Sequence, residues 1–285
     1  MSKTRRLRRK LIIALGLGTV ALALLLGLWA FWFEPASLSV RAVSLQVPRW
    51  HTEHQSLRVA VLTDLHVGAP HMKLDKLREV VERTNGEQPD LVLVLGDLVI
   101  DDVAGGTFVE PEPIAAELGR LRPPLGTFAV LGNHDWWNDG ERITKALRQA
   151  GLSVLENESR RIERGGKSFW VAGVADMWTR QPDIPGSLAQ VLKDDPVILI
   201  THNPDIFPEV PPRVSLTLAG HTHGGQVNFP LVGRPIVPSN FGQRYASGHV
   251  VEGGRHLFVS DGIGTSIIPV RFRVPPQIVI LTLYA

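Results

Sequence analysis

Residues 57–66 read LRVAVLTDLH, and residues 91–97 read LVLVLGD. In both stretches a run of aliphatic residues, many of them β-branched, leads to an acidic side chain, which is typical of a buried strand with a polar end. Because ligands of open α/β sheets bind beyond the carboxyl ends of the strands, we expect these polar residues to line a site. The same arrangement recurs three times, where apolar runs precede GNHD at 132–135, THN at 201–203 and GHTH at 220–223.

The five motifs together supply carboxylate, imidazole and amide groups. They contain no thiolate, because the chain has no cysteine. Such a set of oxygen and nitrogen donors suits two hard or borderline divalent metal ions. Glycines stand beside several of the donors, at Gly96, Gly132 and Gly220, where they favour tight turns or a close approach of two backbones.

Helix and strand patterns alternate along the rest of the chain, which indicates a layered α/β fold. Apolar residues recur at helical spacing after the first motif, and Asn85-Gly86 is a typical helix stop. Three helices are predicted, at 74–86, 114–121 and 141–150. Further strands are predicted at 169–174, 257–260 and 278–283.

The N-terminal segment has the pattern of a membrane anchor. Residues 11–33 carry no charged side chain, and at about 1.5 Å per residue a helix of this length is about 34 Å long, enough to span a bilayer. The alternative is a buried core helix, which rarely lacks charges over this length. Six lysines and arginines lie within residues 1–10, so the positive-inside rule predicts a cytoplasmic N-terminus. We therefore predict a single-pass protein of the bacterial inner membrane, with its catalytic domain on the periplasmic side.

Four segments follow from this reading: a basic tail at 1–10, a transmembrane helix at 11–33, a linker at 34–56 and a catalytic domain at 57–285. The linker has a weak strand-like alternation of apolar residues, so an extra edge strand is the alternative there. Without the basic tail the chain has more acidic than basic residues. This balance argues against a nucleic-acid partner, since such partners need a basic face on the domain itself.

The five motifs resemble the signature of the calcineurin-like metallophosphoesterases, which is D-x-H, G-D, G-N-H-D, a single H and G-H-x-H in this order. The resemblance extends from residue 57 to the C-terminus. It implies a four-layer αββα sandwich of two mixed β-sheets flanked by helices, with the metals at the edge of the sandwich. Ahead of this α/β domain we expect the one transmembrane helix.

The resemblance also implies the ligands of two divalent ions that share one carboxylate, Asp97. We expect Mn²⁺, although Fe²⁺ and Zn²⁺ accept the same ligands. A hydroxide that bridges the two metals is expected to attack the phosphorus atom. One ion is expected on Asp64, His66, Asp97 and His223, and the other on Asp97, Asn133, His202 and His221.

Two further residues of the third motif have catalytic roles in this family. The resemblance implies that His134 is not a metal ligand but contacts the phosphate and protonates the leaving oxygen. Its neighbour Asp135 is expected to orient the His134 ring and to hold it protonated, as carboxylates next to histidines do.

Within the superfamily the chain resembles the membrane-anchored bacterial YkuE/YaeI-like phosphodiesterases. The supporting stretches are TDLHVG at 63–68, GHTHGGQ at 220–226, GIGT at 262–265 and PVRF at 269–272. The resemblance implies cleavage of a phosphodiester or pyrophosphate, and a lipid-linked substrate such as UDP-2,3-diacylglucosamine of lipid A biosynthesis. That substrate is cytoplasmic whereas the charge pattern predicts an external domain, so both sides remain open. Asp261 stands where many relatives carry arginine, which allows a different substrate.

Two other functions stay open on the sequence. A nucleotidase or a phosphoprotein phosphatase would use the same metal chemistry. A catalytically inactive, membrane-anchored binding module would be marked by the loss of ligands, and no motif ligand is missing here. The sequence does not indicate an oligomeric state.

Several residues near the motifs have two interpretations. Trp136, Trp137, Trp178 and Phe229 either wall a substrate cleft or pack loops over the core. Arg234 and Arg244 either contact a second phosphate or are solvated. Asp176 follows a strand and is a candidate for supporting the site, whereas Asp101 and Asp102 fit a solvated loop better than a ligand role.

Overall fold

The structure is a computed structural model that describes residues 3–285, and it is built on two six-stranded mixed β-sheets. The strands are β1 Ser39–Gln46, β2 Leu57–Leu62, β3 Leu91–Val94, β4 Thr127–Ala129, β5 Ser153–Val154, β6 Glu158–Arg164, β7 Lys167–Gly173, β8 Val197–Ile200, β9 Leu216–Ala219, β10 Gly248–Glu252, β11 Arg255–Val259 and β12 Gln277–Tyr284. The first sheet has the order β1-β12-β2-β3-β4-β5, and the second has the order β10-β11-β9-β8-β7-β6. All five strands that precede the motifs lie in the parallel middle of a sheet: β2, β3 and β4 in one, β8 and β9 in the other.

Strand β2 illustrates why the predicted runs are almost continuously apolar. Val59 and Val61 point into the core between the two sheets, while Ala60 and Leu62 face the helices outside the first sheet. Successive residues of a strand point to opposite faces. A strand that is covered on both faces therefore needs apolar residues at nearly every position.

Helices cover the outer faces of both sheets. They are α1 Lys3–Leu28, α2 Glu34–Ala36, α3 Leu74–Gly86, α4 Pro111–Leu118, α5 Asn133–Asn138, α6 Gly140–Gln149 and α7 Ile184–Ser187. Helices α3, α4 and α6 pack on the first sheet through residues such as Val80, Ile114 and Leu147. The second sheet is covered by α7 and short 3₁₀ turns, through residues such as Phe207 and Tyr245. The predicted αββα sandwich is confirmed, with a thinner outer layer on the second sheet.

Most predicted helices have the expected bounds, but α4 lies about one turn earlier than 114–121. Pro111 occupies the first turn of this helix, where the missing N–H of a proline needs no partner. Gly119 then caps the helix, so it ends before Leu121. Helix α3 begins and ends where its periodicity predicts.

The N-terminal helix continues from α1 through a π-helical turn at Trp29–Phe33 into α2. Over Arg5–Ala36 it is long and apolar enough to cross a membrane, with a mean hydropathy of 2.6 in its most apolar window, where no side chain is buried. Its last turns are different, because Ala30, Glu34 and Pro35 are buried against the domain. Part of the segment left open as linker or edge strand forms the edge strand β1, which pairs in parallel with β12.

Candidate metal centre

The seven candidate metal ligands converge at one edge of the sandwich, a few residues beyond the carboxyl ends of five strands. Asp64 and His66 follow β2, and His221 and His223 follow β9 in the same way. None of the seven is more than 4% exposed. The single ligands of the other motifs are Asp97 after β3, Asn133 after β4 and His202 after β8.

Five of these residues have a left-handed backbone conformation, which residues other than glycine rarely adopt. Such a conformation costs about 1–3 kcal/mol per residue and persists only where the surrounding structure enforces it, commonly at functional sites. The strand ends are therefore strained in the places where they present donor atoms. The residues and their φ angles are Asp64 (51°), His66 (44°), Asp97 (54°), His221 (69°) and His223 (51°).

The first group of donors contains Asp64, His66, Asp97 and His223, whose donor atoms all lie within 4.8 Å of one another. His66 Nε2 is 3.1 Å from His223 Nε2 and 3.6 Å from Asp97 Oδ2. His223 Nε2 is 3.5 Å from Asp64 Oδ1. Two donors that each lie about 2.1 Å from one ion are at most about 4.2 Å apart. These atoms are thus close enough to bind one cation without rearrangement.

The second group contains Asp97, His202 and His221. His202 Nε2 lies 3.2 Å from Asp97 Oδ2 and 3.2 Å from His221 Nδ1. The same oxygen of Asp97 therefore faces both groups, which is the position that a bridging carboxylate requires. Asn133 is buried nearby, and its Oδ1 has no hydrogen-bond partner among the described residues. A buried amide oxygen without a partner fits a ligand of a second ion.

The electrostatics of the cluster also fit a cation. Burial lowers the pKa of His66 and of His221 to about 3, so both rings are neutral near pH 7. Burial raises the pKa of Asp64 to about 7. Burial disfavours the charged form of His202 too, but the charge and hydrogen bond of Asp97 raise its pKa to about 10. A proton on His202 thus balances Asp97 in the protein alone, and a bound divalent ion would displace it, since metals bind the neutral imidazole.

Backbone groups hold the donors in place. His202 Nδ1 donates to the Leu95 carbonyl at 2.7 Å, which directs Nε2 of the same ring toward Asp97. The backbone N–H of His221 donates to Asp64 Oδ1 at 3.0 Å, and the N–H of His134 donates to Asp97 Oδ1 at 2.9 Å. The first of these two bonds joins the ends of strands from different sheets, so both halves of the sandwich build the cluster.

Two of the predicted glycines allow these close approaches. A side chain on Gly220 would lie 2.0 Å from Thr63 Oγ1, and one on Gly132 would lie 2.2 Å from Asp97 Oδ1. A methyl group at either position would push a candidate ligand or its neighbour out of the cluster. Both positions therefore require glycine.

Comparison with known proteins identifies the family. The sequence model of the calcineurin-like phosphoesterases matches residues 57–225, more than half of the chain. The chain belongs to this family. A metallophosphoesterase of Bacillus subtilis, YkuE, is 30% identical over 258 residues, which are 90% of this chain and 88% of that protein. The phosphodiesterase YaeI of Escherichia coli is 32% identical over 232 residues, 79% and 82% of the two chains.

A eukaryotic relative has a name that bears on the N-terminal helix. The "Transmembrane protein with metallophosphoesterase domain" of Danio rerio is 30% identical over 252 residues. The match covers 83% of this chain and 55% of the longer fish protein. As a metallophosphoesterase, the present chain is a phosphoester hydrolase by family, and its buried His/Asp cluster suggests a binuclear divalent metal site.

The structure corrects the expected contact between Asp135 and His134 in this metallophosphoesterase. The Asp135 carboxylate accepts hydrogen bonds from four backbone N–H groups and does not reach the neighbouring ring. Asp135 is the third residue of α5 and turns back to the start of its helix, whereas adjacent side chains of a helix point in different directions. The four donors are Asp97 (2.8 Å), Leu98 (2.8 Å), Val99 (3.3 Å) and Gly132 (3.0 Å). Asp135 thus fixes the loop that carries Asp97.

His134 lies at the cavity side of the cluster. Its Nε2 is 4.0 Å from Asp97 Oδ2, and its ring meets the His66 and Trp137 rings edge-on at 4.8 and 4.9 Å between centroids. Unlike the seven candidate ligands it is partly exposed and belongs to neither donor group. It is therefore free to face a substrate.

A cavity of about 390 Å³ opens above the cluster. Its floor is polar and contains Asp97, Asn133 and His134, while its walls are mainly apolar. Asp101 and Asp102 line it as well, but they belong to neither donor group. The apolar wall residues are Trp137, Trp178, Ile236, Pro238 and Ile267.

The tryptophans with two interpretations divide between wall and core. Trp178 lies against His221, with ring centroids 4.3 Å apart, and it lines the cavity together with Trp137. Trp136 packs instead on the core of the first sheet and beneath the guanidinium of Arg180. Phe229 is exposed and packs on Phe272 outside the cavity.

The two arginines after the last motif hold loops rather than facing the cavity. Arg234 Nε donates to the Gly224 carbonyl at 2.6 Å, and Arg244 pairs with Glu252 at 2.6 Å. Asp176 is buried and accepts from Thr179 Oγ1 and from the backbone N–H of Trp178. It thereby positions the loop that brings Trp178 to the cavity.

The sequence analysis missed the role of Arg271, which is fully buried beside the first donor group. Its guanidinium donates to the backbone carbonyls of Asp261, Gly264 and Val274, and thus joins the segments behind the site. Burial lowers its pKa to about 10, so it stays charged near neutral pH. Nothing in the sequence around it distinguishes this arginine from a solvated one.

Proposed function

We propose that the protein is a membrane-anchored phosphodiesterase with a binuclear metal centre. The observation that carries the proposal is the pair of buried donor groups that share one oxygen of Asp97. Asn133 completes the second group in this proposal, because its buried amide oxygen has no other partner among the described residues. The ligands of the two ions are then the seven residues assigned from the motifs.

Two divalent ions at this site would neutralise the phosphoryl oxygens, supply an ionised water near pH 7 and stabilise the leaving oxygen. The chain's own residues contribute position and protons. The backbone bonds to Asp64 and Asp97 keep the two halves of the centre at a fixed separation. His134 faces the cavity and delivers a proton to the leaving oxygen, while Asp135 holds the Asp97 loop.

A diester or pyrophosphate fits the cavity better than a monoester. A diester carries two substituents on phosphorus, and the apolar wall beside the polar floor provides room for the second one. The name of the E. coli relative, a phosphodiesterase, supports this choice. The binding-module alternative is disfavoured because every motif ligand is present and buried in the cluster.

The anchor in this proposal is the N-terminal helix, which crosses the bacterial inner membrane once. Six positive charges in the first ten residues favour a cytoplasmic N-terminus and a periplasmic active site. The name of the fish relative supports membrane attachment. Tethering to a bilayer raises the effective concentration of a lipid-linked substrate. UDP-2,3-diacylglucosamine is one such compound and serves as a test substrate.

The test uses the full chain in detergent micelles with added Mn²⁺, a chromogenic phosphodiester and the matching monoester. Asp97→Asn removes the shared charge and keeps the volume, and Asp101→Asn is the matched control in the same cavity. We expect diester cleavage that falls at least about 10³-fold in Asp97→Asn. Metal analysis should find two ions in wild type and Asp101→Asn, and fewer in Asp97→Asn.

Other outcomes select the alternatives. Faster cleavage of the monoester would favour a nucleotidase or a phosphoprotein phosphatase. Two bound metals with no cleavage of either ester would favour the inactive binding module. Full activity and two metals in Asp97→Asn would overturn the assignment of Asp97 as the shared ligand.

A further inference from the structure

Six exposed apolar side chains border the mouth of the cavity, and we call them the apolar rim. They come from two segments, and Ile236 and Ile267 also line the cavity. Soluble surfaces seldom leave so many neighbouring large apolar groups in water without a function. The rim residues are Phe229, Leu231, Val232, Ile236, Ile267 and Ile268, which are between 47% and 108% exposed.

The rim is a built structure. The backbone N–H groups of Phe229 and Gly233 each donate to the other residue's carbonyl at 2.9 Å, which closes a tight loop with Leu231 and Val232 at its tip. Gln226 joins the loop to the second segment, because its side chain accepts from the Ser266 N–H and donates to the Ile268 carbonyl. The apolar side chains are thus held outward by the fold.

A short chain of backbone contacts connects the rim to the end of the N-terminal helix. Arg271 N–H donates to the Ala30 carbonyl at 2.9 Å, and Val274 N–H donates to Glu34 Oε1 at 2.6 Å. The next residue, Phe272, exchanges backbone bonds with the strand that leads into the rim loop and packs on Phe229. The helix end and the rim therefore lie on the same side of the domain.

The composition of this side favours a lipid surface over a protein partner. Residues 227–238 contain Arg234 as their single charged residue, and no acidic residue occurs there. Exposed Trp29, Trp32 and Phe33 at the end of the helix are the side chains that anchor proteins at a membrane interface. An apolar loop with only basic charge next to such a belt suits an anionic bilayer.

We propose that the apolar rim inserts into the membrane interface beside the anchor helix, so that the cavity mouth opens at the lipid headgroups. This inference rests on the proposed function. It defines the substrate class as phosphodiesters with an apolar tail that stays in the bilayer. The phosphate would lie on the polar floor, while the tail passes along Trp178, Ile236 and Ile267 to the rim.

The first test locates the rim relative to the bilayer without using activity. Because the chain contains no cysteine, Leu231→Cys creates a unique site for an environment-sensitive fluorophore. Leu192→Cys is the matched control, since Leu192 is also exposed but precedes β8, at the opposite ends of the strands from the metal centre. The labelled full chains are reconstituted in vesicles of phosphatidylethanolamine and phosphatidylglycerol, with and without lipids brominated in their acyl chains.

We expect a blue-shifted emission that brominated lipids quench for the label at 231, and a water-like, unquenched emission for the label at 192. Equal, water-like behaviour of both labels would overturn the proposal. In that case the rim is exposed in the anchored protein and fits a protein partner instead.

The second test asks whether the rim delivers lipid substrate. Methyl and hexadecyl esters of p-nitrophenyl phosphate share the leaving group and differ in the tail. With Leu231→Asp and Val232→Asp combined, we expect kcat/KM on the hexadecyl ester in vesicles to fall about tenfold or more, as two large apolar groups lose their burial. Cleavage of the methyl ester should not change, and Leu192→Asp should change neither.

An equal loss on both esters would overturn the proposal, because the rim would then shape the site itself. No loss on either ester would overturn it as well. If the wild-type protein cleaves neither ester, the proposed function fails, and the position of the label at 231 still decides whether the rim contacts lipid.

Discussion

The floor and the rim of one cavity are opposites. The floor places seven polar side chains where water is nearly excluded, whereas the rim places six apolar side chains in contact with water. Each arrangement is costly by itself, because buried carboxylates and imidazoles lose hydration and exposed aliphatic groups cannot. The floor makes sense with a cation bound in it, and the rim makes sense with a lipid surface against it.

The comparison separates chemistry from delivery. Residues of the floor are held by strained strand ends and by bonds such as that from His221 N–H to Asp64, so their geometry is fixed before any ligand arrives. The rim makes no bond to the donor groups and can change without moving them. Variants of the floor should therefore alter turnover, and variants of the rim should alter only access.

His134→Ala should give the largest effect of the variants considered in this Discussion. The side chain faces the cavity but belongs to neither donor group, so both metals should stay bound. Loss of a general acid typically slows turnover by about 10²–10⁴-fold. Measurement of kcat on the chromogenic diester, with metal analysis of the same sample, checks both parts.

His71→Ala is a suitable control for His134→Ala, because His71 lies outside the cavity beside the N-terminal helix. It should leave kcat on the methyl ester unchanged. If His134→Ala turns over at the wild-type rate, the proton-donor role is wrong. If it loses a metal ion, the residue belongs to the floor as a ligand.

Asp135→Asn should act on stability before it acts on chemistry. The substitution places an amide group among backbone N–H groups that now donate to a carboxylate, so at least one of the bonds to Asp97, Leu98 or Gly132 is lost. A buried bond of this type is worth about 2 kcal/mol. Urea unfolding of the metal-free protein measures the change, and we also expect weaker metal binding because the Asp97 loop loosens.

Asp139→Asn provides the comparison, since Asp139 caps α6 at the surface and asparagine caps helices equally well. Its free energy of unfolding should change by less than about 0.5 kcal/mol. An unchanged free energy of unfolding in Asp135→Asn would show that the loop does not depend on this carboxylate.

The sequence predicts the floor better than the rim for a physical reason. Every candidate ligand follows its strand within a few residues, so the motif and the strand are read together, and a parallel sheet brings such ends to one edge. The donor types and the family signature then indicate the metals. Where side chains point is less accessible, as Asp135 demonstrates, because its partners are backbone groups of a distant loop.

Other features depend on contacts between remote parts of the chain. Strand β1 forms because its partner β12 lies at the other end of the sequence. Leu231 reads as an ordinary loop residue, and its place at the cavity mouth follows from the packing of Phe229 on Phe272 and from Gln226. Arg271 is buried by three separate segments. Local patterns contain no signal for such contacts.

Trp178 lies between the two regions and should give the smallest effect, yet it shows where floor ends and rim begins. Its ring contacts His221 on one side and forms the apolar wall on the other. An aromatic contact with a substrate is worth about 0.5–1.5 kcal/mol, so Trp178→Ala should raise KM for aryl or lipid esters about two- to tenfold with kcat unchanged. Phe108→Ala, an exposed aromatic outside the cavity, should change neither constant. A fall in kcat at constant KM would instead place Trp178 with the floor, as the residue that positions His221.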